Sequence, residues 1–303
     1  MQISLFLFGN IKILQKKVFI IIVTYNGEKW IQKNLQSLQR SLFPVEILVI
    51  DNHSSDNTVA LVEAFKEVQL ILLNENIGFG KANNMAIKKA LELGADYLFL
   101  LNQDTWMYPE TLKNLVLVAE SNPEFGILSP LHYASDALQL DANFKTYWNR
   151  KTNSISNNID EVPFVNAAAW LLPKVVIEKV GYFEPLFNHY GEDRNYADRT
   201  LYHSFKIVVV KDAKICHDRI IARHFDKDVK QSKFRMLSEV LNINNYLIIS
   251  YLKAFLLVFG LPKYFYKFYS FRKSMHLFFE LLRYYIVLKT TALKIIKTRL
   301  SYK

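Results

Sequence analysis

Between Val18 and Asp104 the chain repeats one pattern: a short apolar run stops abruptly at polar residues, and a segment with helical spacing follows. The runs are VFIIIVT (18–24), VEILVI (45–50), VQLILL (68–73) and YLFLL (97–101), rich in β-branched and aromatic residues. A strand wetted on one face alternates apolar with polar, whereas a strand buried on both faces is continuously apolar. The intervening segments 28–40, 56–67 and 80–93 read as single helices; Trp30, Ile31, Leu35 and Leu38 mark the apolar stripe of the first. Strands joined by single helices predict right-handed βαβ crossovers, hence an α/β fold with a mostly parallel, doubly wound sheet.

Beyond residue 134 the pattern loosens. Residues 135–158, rich in Asn, Ser, Asp and Thr, read as a loop or short hairpin excursion. An apolar run over 162–172, Pro173 and a short helix to Val180 follow, then an irregular aromatic stretch over 181–190. A helix is expected from Glu192 to Ser204, and short strands over 206–210 and 213–217.

Parallel strands bring their carboxyl ends to one rim, where open α/β sheets bind ligands. Thr24-Tyr25-Asn26, Asp51-Asn52, Asn74-Glu75-Asn76 and Asn102-Gln103-Asp104 all stand at such ends. Any one such loop is polar simply because it meets water. Asp56 is most economically a helix cap or first-turn acid; Asp51 has no such duty in the sequence and is a candidate ligand contact. Gly78 and Gly80 resemble a dinucleotide fingerprint only superficially, because Asn83 takes the sixth position and the motif follows the third strand. Gly80 permits close backbone approach, and a helix start beside Lys81 favours a phosphate, with turn and capping roles as the alternative. Asp104 offers the carboxylate oxygen that Mg²⁺ or Mn²⁺ on a diphosphate requires; the alternative is a cap on the turn before Pro109.

Taken together, VTYNGEKW, VIDNHSSDNT, NIGFGKANN, LLNQDTWM and GYFEPLFNHYGEDRNYADR resemble the family 2 glycosyltransferases of GT-A fold, especially their bacterial rhamnosyltransferase-like branch. The resemblance spans about residues 18–217 and implies sugar transfer from a nucleotide-diphosphate donor with inversion. It implies that Thr24, Tyr25 and Asn26 form the first nucleotide-contacting loop and that Asp51 meets the base. Asn102 and Gln103 fall on the nucleotide-sugar motif, where Asn102 replaces the family's first metal-motif aspartate and Asp104 retains the last. His217 resembles a histidine near the diphosphate and metal; the alternative is a buried or capping histidine. Asp193 of the Glu192-Asp193 pair matches the general base. Both acids would also suit a helix start with no catalysis. Glu192 and Arg199 are expected as acceptor contacts or structural partners. The donors implied are dTDP-rhamnose or a UDP-hexose, the acceptor a saccharide or lipid-linked saccharide of cell-surface polysaccharide. Competing readings are a nucleotidyltransferase, disfavoured because TYNGEKW lacks a glycine-rich basic loop, and a non-catalytic sugar-nucleotide-binding protein, favoured by Asn102 alone.

Charge divides the chain. The net charge is +10 over 303 residues, but residues 227–303 hold fifteen Lys or Arg against three acids, leaving the rest slightly negative. The expected divisions are a leader over 1–17, with no basic n-region or cleavage site, a catalytic domain over 18–226 and a helical extension over 227–303. AFLLVFG and YYIVL interleaved with Lys and Arg fit a membrane surface, packing on the catalytic domain or a homodimer better than nucleic acid. Lys253 interrupts the best apolar run, 246–260, which argues against a spanning helix. With Cys216 as the lone cysteine, no internal disulfide forms, and the expected location is cytoplasmic, at the inner face of the membrane.

Overall fold

The computed structural model describes residues 15–219 and 223–303, so residues 1–14 of the leader expected over 1–17 lie outside the described residues. Strands β1 (Val18–Thr24), β2 (Glu46–Asp51), β3 (Val68–Leu72) and β4 (Tyr97–Leu101) are parallel neighbours in the order β3-β2-β1-β4. Their crossovers carry helices α1 (Ile31–Leu38), α2 (Thr58–Glu63) and α3 (Phe79–Glu92). Successive strand residues point to opposite faces, and both faces are covered. Ile20, Ile22 and Phe99 join a core with Ile31 and Leu35 of α1. Phe19, Ile21, Leu98 and Leu100 join another with Ala82, Ala86 and Ala90 of α3, whose small side chains bring the helix close to the sheet. The unbroken apolar runs thus have a two-sided cause.

The sequence reading assigned no element between Asp104 and Ala134; the structure has β5 (Thr105–Met107), α4 (Thr111–Ser121) and the central strand β6 (Phe125–Ala134) there. The supposed excursion over 135–158 holds a helix, α5 (Ala142–Trp148), capped by Asp141 accepting from Phe144 N–H at 2.7 Å. A hairpin of β7 (Asn153–Ser154) and β8 (Ile159–Glu161) follows. Strand β9 (Ala169–Pro173) runs antiparallel between β4 and β6, then come α6 (Lys174–Val180) and α7 (Glu192–Tyr202). The two short strands expected near 206–217 are one strand, β10 (Lys206–His217), bulged between Val210 and Lys214 against β6. Among the described residues, seven of the ten strands share one direction, and β5, β8 and β9 oppose it.

Helices α8 (Phe225–Leu241), α9 (Leu247–Phe265), α10 (Phe271–Thr290) and α11 (Ala292–Ser301) surround a separate core that includes Met236, Val240, Ala254, Val258, Leu277 and Leu281. Buried Arg299 holds this bundle together. Its guanidinium donates to the carbonyls of Val240 (2.9 Å), Asn242 (2.6 Å) and Asn245 (2.6 Å), which close α8 and lead into α9. A cation there satisfies carbonyls that a helix end leaves without partners. The bundle also packs on the sheet domain: Tyr302 O–H donates to Glu184 Oε2 (2.7 Å), and Asn244 Nδ2 donates to the Asp198 carbonyl (2.7 Å). Despite Lys253, α9 is long and apolar enough to cross a bilayer by length and composition, which corrects the reading from sequence.

Candidate active site

The rim at the carboxyl ends of β1, β2 and β4 is assembled from side chains that grip neighbouring backbone. Buried Thr24 donates Oγ1–H to Asp51 Oδ1 (2.8 Å), and Ser54 donates its N–H to Asp51 Oδ2 (2.8 Å) and its hydroxyl to Oδ1 (2.6 Å). Asp51 therefore does have a structural duty, contrary to the expectation from sequence: it ties the end of β1 to the loop after β2. A carboxylate offers about four lone-pair directions, so these three bonds leave one. Asp56 accepts from Thr58 N–H and hydroxyl and from Glu28 N–H (3.1 Å), as a helix-start acid should.

Tyr25 is exposed, and Asn26 adopts φ 47°. Asn26 stays in place because its N–H donates to Ser54 Oγ (2.9 Å) while its Oδ1 accepts from Ser55 N–H (2.9 Å). Gln103 closes the loop with two bonds: it accepts from Tyr25 N–H (2.9 Å) and donates to the Tyr25 carbonyl (3.1 Å). Gly27 is required there, since a Cβ would strike Gln103 Oε1. Buried Asn34, absent from the sequence reading, donates to the carbonyls of Asn102 (3.0 Å) and Thr105 (2.8 Å) and shapes the turn between β4 and β5.

That turn presents Asp104. Pairing of β5 with β10 sets Thr105 opposite His217, and Asp104 Oδ1 lies 3.3 Å from His217 Nε2. The contact lacks hydrogen-bond alignment: both His217 ring nitrogens are buried without a partner among the described residues. Asp104 makes no cap before Pro109; its carbonyl, not its carboxylate, accepts from Asp218 N–H (2.8 Å). Behind His217, at 6.3 Å between ring centres, lies His132, which accepts or donates to Ser129 Oγ at 3.1 Å. Burial pushes the His132 imidazole well below the usual histidine range.

Residues 188–193 lie against the start of α3: a Cβ on Gly78 would meet the Asn188 carbonyl, and Gly80 packs on Glu192. Gly191, at φ 91°, introduces α7, and Glu192 and Asp193 occupy its first turn. Burial pushes Glu192 up to about 7, helped by the neighbouring Asp193 charge, and its Oε2 has no partner among the described residues. Asp193 is half-exposed and accepts from its neighbour Arg194 N–H (2.7 Å), and desolvation raises its pKa against the hydrogen bonding that would lower it. Ala167 is adjacent to Ala168, whose carbonyl accepts from Asn102 N–H (2.9 Å). Burial pushes the Tyr147 hydroxyl of α5 up, and the Asp193 charge adds to the effect.

Gly80 and Arg199 are both packed into the protein. Gly80 is buried against Phe183 and Glu192, with a hypothetical Cβ 3.3 Å from Phe183 Cβ, so its small size serves packing of the chain on itself. Half-buried Lys81 follows it on α3. Arg199 is structural: it donates to the carbonyls of Val180 (2.6 Å) and Tyr182 (2.7 Å) and to Asn195 Oδ1 (3.1 Å), and lies over the Tyr302 ring.

The comparisons agree with this architecture. The model for glycosyl transferase family 2 matches residues 19–180. The dTDP-rhamnosyl transferase RfbF of Shigella flexneri is 27% identical over 215 residues, covering 67% of this chain and 70% of that protein. The N-acetylglucosaminyl-diphospho-decaprenol L-rhamnosyltransferase of Mycobacterium tuberculosis is 24% identical over 231 residues, covering 66% of this chain and 75% of that protein. Mannosyltransferase PcManGT from Pyrobaculum calidifontis, solved with GDP-Man and Mn²⁺, superposes with a TM-score of 0.60 at 15% identity, covering 99% of this chain and 94% of that one. A match of that identity speaks for the fold alone. Family match, GT-A architecture and rhamnosyltransferase-like relatives converge: the chain belongs to glycosyl transferase family 2 and is a glycosyltransferase.

Proposed function

We propose that the chain transfers a sugar, with inversion, from a nucleotide-diphosphate donor to a hydroxyl of a saccharide or lipid-linked acceptor, with Asp193 as general base. The observation that carries this reading is the Asp104 carboxylate 3.3 Å from the His217 imidazole, whose ring nitrogens are buried without a partner among the described residues, together with a desolvated Asp193 carboxyl at the start of α7. Residues 18–226 form the catalytic domain, and residues 227–303 are the extension that brings it to the inner face of the membrane. The names of the two rhamnosyltransferase relatives favour dTDP-rhamnose as donor.

Asp104 and His217 fit a divalent cation: a carboxylate oxygen and a desolvated imidazole nitrogen face each other, leaving its other positions to phosphate oxygens and water. An imidazole ligand favours Mn²⁺ over Mg²⁺. When bound, such an ion supplies positive charge to the leaving diphosphate. Thr24, Tyr25 and Asn26 border the nucleotide, Asp51 keeps one lone pair for its base, and Lys81 faces a phosphate. Asn102 and Gln103 hold the turn and line the sugar. Asp193 accepts the acceptor hydroxyl's proton as that oxygen bonds to the anomeric carbon, while the bond from that carbon to the diphosphate oxygen breaks and its electron pair leaves with the nucleotide. Its raised pKa makes it a stronger base than an exposed aspartate.

Nucleotide release from a donor panel with Mn²⁺ tests the assignment. Asp193→Asn is expected to retain donor binding and lose about 10²–10⁴-fold in transfer. His217→Ala and Asp104→Ala are expected to weaken Mn²⁺ dependence. Full transfer by Asp193→Asn would exclude it as the base.

A further inference from the structure

The helical bundle hides only half of α9. Ser250, Ala254, Val258, Leu261 and Phe265 face its core, whereas the opposite side offers Ile248 (83% exposed), Leu252 (56%), Phe255, Leu256 and Phe259 (51%) to solvent. Spacings of three and four residues set this second row on one face. Phe255 meets Tyr285 of α10 at 5.3 Å and Phe259 meets Phe278 at 5.5 Å, so the apolar surface continues onto α10, where Phe279, Ile286 and Val287 are exposed. Monomeric proteins rarely expose an apolar face of this extent without using it.

Cations border the patch. Lys253 and Lys263 lie one turn after Ile249 and Phe259; Arg283 and Lys289 do the same beside Phe279 and Ile286, and all four are exposed. Of these, only Arg283 has an ion pair among the described residues, at 3.4 Å from Glu280.

We propose that the exposed face of α9 and α10 docks on an anionic lipid surface, α9 lying flat in the headgroup region with its aromatic and aliphatic row immersed. This deepens, and rests on, the reading of the chain as an enzyme that works at the membrane. An apolar row flanked by Lys and Arg matches the interior and charge of an anionic interface. A second copy across a two-fold axis would bring the same cations together, which disfavours self-association. Crossing the bilayer would expose the buried side of α9, including Ser250, and break the hydrogen bond it accepts from Arg299 at 3.3 Å. Docking also orients the cleft, because Ser238 of the same bundle donates to the carbonyl of Gly191, the residue before Glu192.

Sedimentation with vesicles of phosphatidylglycerol and phosphatidylcholine, against phosphatidylcholine alone, tests the proposal on the full chain. The wild type is expected to bind the anionic vesicles, less so as salt rises. Leu252→Ser and Phe259→Ser are each expected to lower partitioning about tenfold, with unchanged donor hydrolysis and thermal unfolding. Lys263→Glu is expected to remove the preference for anionic lipid. Equal sedimentation of wild type and serine variants would overturn the proposal. So would a wild type that ignores vesicles but forms a dimer in light scattering that the same variants dissolve. Vesicle binding without donor hydrolysis would refute the enzymatic reading and leave the docking face standing.

Discussion

Glu192 offers the sharpest test of the cleft's electrostatics. Its side chain is buried against Gly80, one carboxylate oxygen lacks a partner among the described residues, and the Asp193 charge adds to the effect of burial. These surroundings move its pKa from 4.5 to about 7. Within that window the folded chain keeps a proton that the unfolded chain has released, so rising pH favours unfolding. The shift corresponds to about 3 kcal/mol of stability, present below the unfolded pKa and lost by the time the folded pKa is passed. Glu192→Gln keeps the shape and removes the titration. Urea unfolding at about pH 4.5 and about pH 8 should show the wild type losing about 3 kcal/mol more than the variant between the two. Other groups titrate here too, Asp198 among them, raised to about 6 by burial, but they do so in both proteins. Parallel pH dependence in the two would refute the claim that Glu192 is held protonated by its surroundings.

Because desolvation raises Asp193 and a general base acts ionised, kcat is expected to rise with pH through a limb above the ordinary aspartate value of 3.8, and Asp193→Asn should lose that limb along with most of the rate. Arg299→Met would leave the carbonyls of Val240, Asn242 and Asn245 without their donor; a loss of about 3 kcal/mol in denaturant unfolding is expected, and a loss below about 1 kcal/mol would refute its role as the bundle's clasp.

Local chemistry explains which parts were legible in advance. The apolar runs at 18–24 and 97–101 coincide with β1 and β4 because strands covered on both faces are filled mainly by apolar side chains. Polar residues at their ends mark the rim for the complementary reason: there the chain returns to water. Short α5 escaped notice because Asn and Thr dilute its periodicity, and its place depends on Phe144 stacking on His132 at 4.4 Å. The strand β6 was missed although Phe125, Ile127 and Leu128 are apolar, since Ser129, Pro130 and His132 interrupt the run and are buried only by the sheet around them.

Residue type and spacing alone determined the βα order, the strand ends that could meet a ligand and the basic, aromatic character of the last quarter of the chain. Only the tertiary structure decided that Asp51 is bound to Thr24 and Ser54, that Arg199 belongs to the packing, and that His217 comes within 3.3 Å of Asp104. Likewise, only folding split α9 into a buried side and an apolar face left in solvent. The reason is that periodicity and side-chain chemistry act between near neighbours, whereas partners, desolvation and exposure depend on groups that β-sheet pairing and helix packing bring together from distant positions.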